Sequence, residues 1–162
     1  MQNQRAPLVD LDNSRVPDQR KEMEEILASG HCPFCPEHLG KHHPLPTLKE
    51  GKFWILTPNQ WPYEHTKVHL LAIYRTHAED LSDLDPNAGK ELLELMQWSQ
   101  NEFTIPGGGW VMRFGDTRYS AGSVQHIHAQ CVQPDIHDPN YKPVRIKIGK
   151  SPDKLGHQSV ST

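Results

Sequence analysis

His126, His128 and Gln130 occupy alternate positions in a run, Val124 to Val132, that otherwise reads as a buried strand. In an extended strand every second side chain faces the same way. Two imidazoles and a carboxamide would share one side, and Ile127, Ala129 and Cys131 would face a core. A neutral imidazole is a good nucleophile toward phosphorus near neutral pH. Its attack would form a phosphoramidate and split one difficult displacement into two. Backbone N–H groups of the preceding Gly122-Ser123 loop could hold phosphate oxygens. Gln130 could donate to the same charge without titrating. The plainer alternative is an edge strand with its polar side in water. It accounts for one histidine more readily than for His-x-His-x-Gln behind a Gly-Ser loop.

A second pattern is Cys32-Pro-Phe-Cys35, followed closely by His38, His42 and His43. A two-residue gap lets both sulfurs converge on one tetrahedral ion such as zinc. A buried cysteine pair or a redox motif are the alternatives. The redox motif calls for a strand–loop–helix context that Pro36 and the His-rich stretch do not supply. With Cys131 the cysteine count is three, which argues against a disulfide scaffold. Local candidates for the remaining ligands are His31, His38, His42 and His43.

The elements that must position these groups follow from periodicity and punctuation. Residues 18–29 are rich in helix formers, and Gly30 is placed as a stop. Residues 31–46, dense in Pro, Cys and His, read as an irregular loop. Phe53 to Leu56 and Val68 to Tyr74 read as strands, the second fully buried. The segment from Pro58 to Tyr63 must be irregular because of its two prolines. Asp85-Pro86 reads as an N-cap and first-turn proline ahead of a helix with Leu92, Leu93, Leu95, Met96 and Trp98 on its apolar stripe. Gly107 to Gly109 form a turn and Trp110 to Phe114 a strand. Residues 115–123 form a small-residue loop, and Val144 to Ile148 a short alternating strand. Helices and strands joined by short turns give an α+β class with an antiparallel sheet. The expected organisation is a mobile arm at 1–16, one domain at 17–150 and a disordered tail at 151–162. His65, His137 and His157 are expected to be solvated, and His69 to be satisfied by backbone.

Gly122-Ser-Val-Gln-His-Ile-His-Ala-Gln130 resembles the signature of the histidine-triad (HIT) superfamily, in the His-x-His-x-Gln form of its nucleotidyltransferase branch. The galactose-1-phosphate uridylyltransferases and dinucleoside tetraphosphate phosphorylases belong to that branch. The stretch from His69 to Leu84 is similar to the family's strand, basic turn and helix approach. Pro58-Asn59-Gln60-Trp61-Pro62 is similar to the uridylyltransferases' Pro-Asn-x-aromatic-Pro turn. The likeness spans residues 30–135. It implies a HIT-like sheet of about five strands with flanking helices. It also implies His128 as nucleophile, Gln130 holding the phosphoryl group, and Ser123 and Gly122 at the phosphate or leaving group. Asn59 would contact the nucleotide. Where many relatives carry a phosphate-binding asparagine, eleven residues before the first motif histidine, this chain has Gly115, and Arg118 is the candidate to take over. In the zinc-bearing uridylyltransferases two thiolates join a distant histidine and the first motif histidine. That implies a structural zinc on Cys32, Cys35, His77 and His126.

Composition narrows the partners. The formal net charge of −3 over 162 residues leaves no general basic footprint for nucleic acid. No window is apolar enough to cross a membrane, and MQNQRAPLVDLDNSR has no signal-peptide core. A cytoplasmic homodimer is expected. Its substrate would be a nucleoside polyphosphate or nucleotide conjugate, handled by transfer or phosphorolysis through a nucleotidyl-histidine. A HIT-type hydrolase and a non-catalytic, zinc-stabilised nucleotide-binding module are the alternatives.

Overall fold

The computed structural model describes residues 7–155. Residues 1–6 of the expected arm, and residues 156–162 of the expected tail with His157, lie outside the described residues. Helix α1 spans Pro17–Ser29. Proline opens it, where a missing N–H costs nothing. Gly30 closes it at φ 70°, donating its N–H to the Ile26 and Leu27 carbonyls. That left-handed conformation suits a residue without Cβ. Met23 and Ile26 of α1 are buried together with Val9.

The stretch at 31–46 was expected to be wholly irregular, and here the structure differs. Pro36–His42 forms a short helix, α2. Pro36 occupies its first turn, where a proline pre-sets φ and breaks nothing.

Five strands make one antiparallel sheet: β1 (Lys49–Glu50), β2 (Trp54–Pro58), β3 (Thr66–Tyr74), β4 (Gly109–Arg113) and β5 (His128–Pro134). Their order across the sheet is β1-β2-β3-β5-β4. Helix α3, Asn87–Glu102, covers one face. Its Ala88, Leu92 and Leu95 pack on Trp54 and Leu56 of β2, Leu70, Ala72 and Tyr74 of β3, and Ala129 and Cys131 of β5. Each of the leucines among them contributes about 1.5–3 kcal/mol on full burial. Two polar contacts set the register of helix on sheet. The Trp54 indole N–H donates to the Ala88 carbonyl at 2.8 Å. Glu91 accepts from the backbone N–H groups of Lys52, Phe53 and Trp54. Between β4 and β5, a Cβ on Gly108 would fall 2.5 Å from the Val132 carbonyl oxygen, so the close approach there needs glycine.

Three further segments differ from expectation. The strand expected at 124–132 begins only at His128. Its approach bends at Gln125 and His126, where the Gln125 and Ile127 N–H groups donate to the Leu8 and Ala78 carbonyls. The 115–123 loop contains a short helix, α4, at Thr117–Ser120. Asp116 caps it, accepting from the Arg118 N–H. Val144 to Ile148 joins no strand. Val144 and Ile146 are half-buried while Arg145 and Lys147 are exposed, but Ile148 is exposed too, so the expected alternation stops before its last residue.

Residues 7–16, the described part of the expected arm, lie along the folded chain. Val9 is 1% exposed and bridges to Val124. The Asp10 N–H donates to the Ser123 carbonyl at 2.9 Å. At the other end, Pro152–Lys154 makes a short 3-10 turn. The Lys154 ammonium donates to the Asp12 carbonyl. No helix of the described residues is long and apolar enough to cross a membrane.

Candidate active site and metal centre

The sheet face opposite α3 carries the polar chemistry. Alternation along β5 sends Ala129 and Cys131 into the core and His128 and Gln130 to the other side. There they line a cavity of about 360 Å³, within the range of roughly 300–1,000 Å³ usual for ligand sites. Ser123, Asn59, Trp61, Tyr63, Phe34 and Arg113 also line it.

The His128 ring is held in one tautomer. Its Nδ1 lies 2.7 Å from the His126 carbonyl oxygen. A carbonyl only accepts, so Nδ1 carries the proton and Nε2 keeps its lone pair. Burial is the main cause holding the His128 pKa down to about 4. The hydrogen bond to the His126 carbonyl opposes this, and the Arg113 guanidinium adds to it. The ring is therefore neutral at physiological pH. Phe34 packs edge-on against it with centroids 5.1 Å apart.

Gln130 is oriented by His69, a residue expected only to be satisfied by backbone. The Tyr63 N–H donates to His69 Nδ1 at 3.0 Å. The proton of neutral His69 thus sits on Nε2, 2.9 Å from Gln130 Oε1. With its carbonyl engaged, Gln130 has its NH₂ group to offer a ligand. Burial holds the His69 pKa down to about 4. The contact with Gln130 opposes it, and the charges of Arg15 and His128 add to it. Asn59 braces the same corner. Its Oδ1 accepts from the Trp61 N–H at 2.7 Å; its NH₂ group faces the His69 Nε2–H at 2.9 Å, a meeting of two donors that makes no hydrogen bond in this tautomer.

Arg113 emerges from the strand register. It stands opposite His128 across the β4–β5 pair, and directly opposed residues share a face. Its Nε donates to the Ser120 carbonyl at 2.9 Å and its NH2 group to the Lys147 carbonyl at 3.0 Å. The guanidinium is thereby fixed at the cavity wall. Arg118, the candidate from sequence, is placed elsewhere. It lies on α4, is held by both carboxylate oxygens of Asp116 and faces a different hollow. The Gly122 N–H is taken up by the Ser120 hydroxyl at 3.2 Å, so it shapes the loop rather than offering a donor. The Ser123 residue beside it does reach the cavity.

His126 points away from this cavity, because it precedes the strand. Its Nε2 donates to the Tyr74 carbonyl at 2.6 Å, which leaves Nδ1 bare. That nitrogen lies 3.3 Å from Cys32 Sγ and 3.9 Å from Cys35 Sγ. His77 Nδ1 lies 3.4 Å from Cys35 Sγ. The His77 Nε2–H donates to Glu79 Oε1 at 3.1 Å. All four ligand atoms fall within 4.8 Å of one another. Zinc bonds of about 2.3 Å to sulfur and 2.0–2.1 Å to nitrogen imply a tetrahedral S···N edge of about 3.6 Å. The three S···N separations bracket that value, so the donor set fits zinc. Without a cation, burial first, and Cys32 next, push the Cys35 thiol up to about 12; a metal bound there would displace that proton.

The local histidines go elsewhere. His31 and His38 stack on each other with centroids 4.3 Å apart. His42 pairs with Glu22 at 2.8 Å and His43 with Thr57 at 2.8 Å. His65, expected to be solvated, is half-buried and pairs with Asp138.

No family model matches the chain, and no curated protein matches it. Solved structures do. A zinc-bound histidine triad family protein from Mycobacterium smegmatis superposes with a TM-score of 0.53 at 22% identity, over 68% of this chain and 80% of that one. The histidine triad nucleotide-binding protein of Candida albicans gives 0.56 at 16% identity, over 77% and 90%. A HIT family hydrolase from Clostridium thermocellum gives 0.51 at 18%, over 70% and 97%. At these identities the likeness is one of fold. The chain has the α+β fold of the histidine-triad proteins.

Proposed function

We propose that this chain, built on the histidine-triad fold, is a zinc-bearing enzyme of that superfamily that transfers a nucleotidyl group by way of His128. The observation that carries this is the tautomer of His128. Its proton is committed to a backbone carbonyl, and its free nitrogen belongs to a ring lining a cavity of nucleotide size. In the first step Nε2 forms a bond to the α-phosphorus, and the bond from phosphorus to the leaving oxygen breaks. The leaving group departs with that electron pair. In the second step an acceptor oxygen displaces His128.

Arg113 and the Gln130 amide stand where charge builds on the phosphoryl oxygens, and the Ser123 hydroxyl is a further donor. Asn59 orients the nucleotide side. Zinc on Cys32, Cys35, His77 and His126 would be structural, since four protein ligands leave no open position. It would tie the Cys32–Cys35 loop, and with it Phe34, to the approach of β5.

Transfer to phosphate or a sugar phosphate is favoured over transfer to water, because a carboxamide cannot relay a proton as an imidazole can. Hydrolysis is the second reading; the Clostridium thermocellum protein carries that name. The test is trapping with nucleotides labelled at the α-phosphorus. Wild type should retain label under alkaline conditions, and His128→Ala should retain none. Added phosphate should divert the released label from nucleoside monophosphate to diphosphate; no diversion favours the hydrolase. Tight binding of a nucleotide panel with no label on either protein would identify a binding module instead.

A further inference from the structure

We propose that the cavity has a separate compartment for a phosphate carried by the leaving group, walled by Arg113 and by Arg145, Lys147 and Lys154 of the C-terminal segment. It rests on the reading of His128 as nucleophile and adds the class of leaving group.

Strand order sets the layout. β5, with His128 and Gln130, lies between β3 and β4. Asn59 follows β2 on one side, and Arg113 stands on β4 on the other. A substrate with its phosphorus over His128 therefore runs across the strands. The side toward β2 and β3 offers Asn59, Trp61 and Tyr63, with the Arg15 guanidinium over the Tyr63 ring and bonded to the Trp61 carbonyl, and with Phe34 over the nucleophile itself. Aromatic faces suit a nucleobase. The side beyond β4 offers cations.

Those cations are held at the wall by their own segment. Residues 141–148 carry no helix or strand, with Val144 and Ile146 half-buried. Arg145 and Lys147 alternate with them and line the cavity. The segment is pinned at its C-terminal end, at Lys147 and Lys150. Arg113 donates to the Lys147 carbonyl at 3.0 Å. The Lys150 N–H donates to the Arg118 carbonyl at 2.9 Å. The Lys150 ammonium lies 2.7 Å from Asp10 Oδ2 with both side chains largely buried. Asp10 also accepts from the Thr117 hydroxyl. A buried, hydrogen-bonded ion pair of this kind fixes geometry more than it stabilises.

The charge is not balanced from within. Arg145 and Lys147 have no ion-pair partner among the described residues. The two carboxylates lining the cavity are already engaged, Asp12 by Lys150 and Glu22 by His42. A chain with net charge −3 thus gathers unmatched cations where the departing group would sit. Like charges held together repel unless an anion joins them. Arginine and lysine are the usual partners of phosphate.

The compartment predicts selectivity for substrates whose leaving group is phosphate-bearing. One nucleotidyl group is paired with three leaving groups: p-nitrophenolate, phosphate and pyrophosphate, in adenosine and uridine series. Formation of nucleotidyl-His128 is followed in single turnover for wild type and for R145Q/K147Q. The variant's loss of kcat/KM should be at least ~10-fold greater on the pyrophosphate-leaving substrate than on the p-nitrophenyl ester. R145K/K147R should recover most of the difference. Equal losses on all three substrates would overturn the compartment and leave the nucleophile standing. Absence of labelling on wild type with every substrate would overturn the His128 reading, and this inference with it.

Discussion

Glu79→Gln isolates the metal centre from the chemistry. Glu79 accepts from His77 Nε2 at 3.1 Å, and a carboxylate on the far nitrogen both aims the ring and raises its basicity as a ligand. Replacing such a partner typically costs 10- to 100-fold in metal affinity, about 1.4–2.7 kcal/mol. At a buffered free zinc concentration above both dissociation constants, the same increment leaves the free energy of unfolding. For a domain of this size ~1 kcal/mol corresponds to ~2–4 °C in Tm. The variant should therefore melt roughly 3–10 °C lower with zinc. With excess chelator the two proteins should melt together, which separates the metal effect from any other contact of Glu79. Affinity is read by competition against a chromophoric chelator, and occupancy by elemental analysis. Equal zinc affinity for wild type and variant, or a wild type that holds no zinc after dialysis against metal-free buffer, would refute the reasoning.

Acid should weaken the fold in a defined window. His69 titrates near 4 in the folded chain, mainly because it is buried, against an ordinary value of 6.5. Below 6.5 the unfolded chain takes up a proton that the folded chain refuses until about 4. Stability from this group is complete above the upper value and falls through the window, by up to about 1.4 kcal/mol per pH unit. Urea denaturation at pH 7, 6 and 5 checks the slope; a flat profile contradicts a neutral, buried His69. A homodimer is expected through the open edge of β4, where Gly109–Arg113 pairs only with β5 among the described residues. Light scattering should give twice the chain mass, and Val111→Pro, which removes an N–H from that strand, should shift the protein toward monomer; a monomeric wild type ends this expectation.

Much of the site could be read from side-chain chemistry at short range. The alternation His128-Ala129-Gln130-Cys131 placed two polar groups opposite a core, and the strand carries them so. Gly30 stopped its helix because only the left-handed conformation closes the chain there. What escaped reading depends on contacts between distant segments. Arg113 joins His128 through the β4–β5 register, although the alternation of Trp110 and Met112 toward the core held the clue to its face. His69 acquires its role from Gln130, 61 residues away in sequence. Helix α2 was hidden because Pro36 reads as a breaker when its position in the helix is unknown. Arg118 looked suitable by charge, but a neighbouring Asp116 captures it locally. His126 keeps the two-residue spacing of the strand yet lies beyond its end, so the one short motif sends His128 and Gln130 to the cavity and His126 to the Cys/His cluster.

Asp10 and Lys150 are separated by most of the chain, yet they join the two ends of the fold in a single ion pair. On the proposed reading, the wall facing the departing group is assembled from peripheral sequence, while His128 and the Cys32, Cys35, His77 and His126 cluster belong to the sheet and its loops. Substitutions at the two ends would then alter the choice of leaving group with α3 and the interior it covers left as they are.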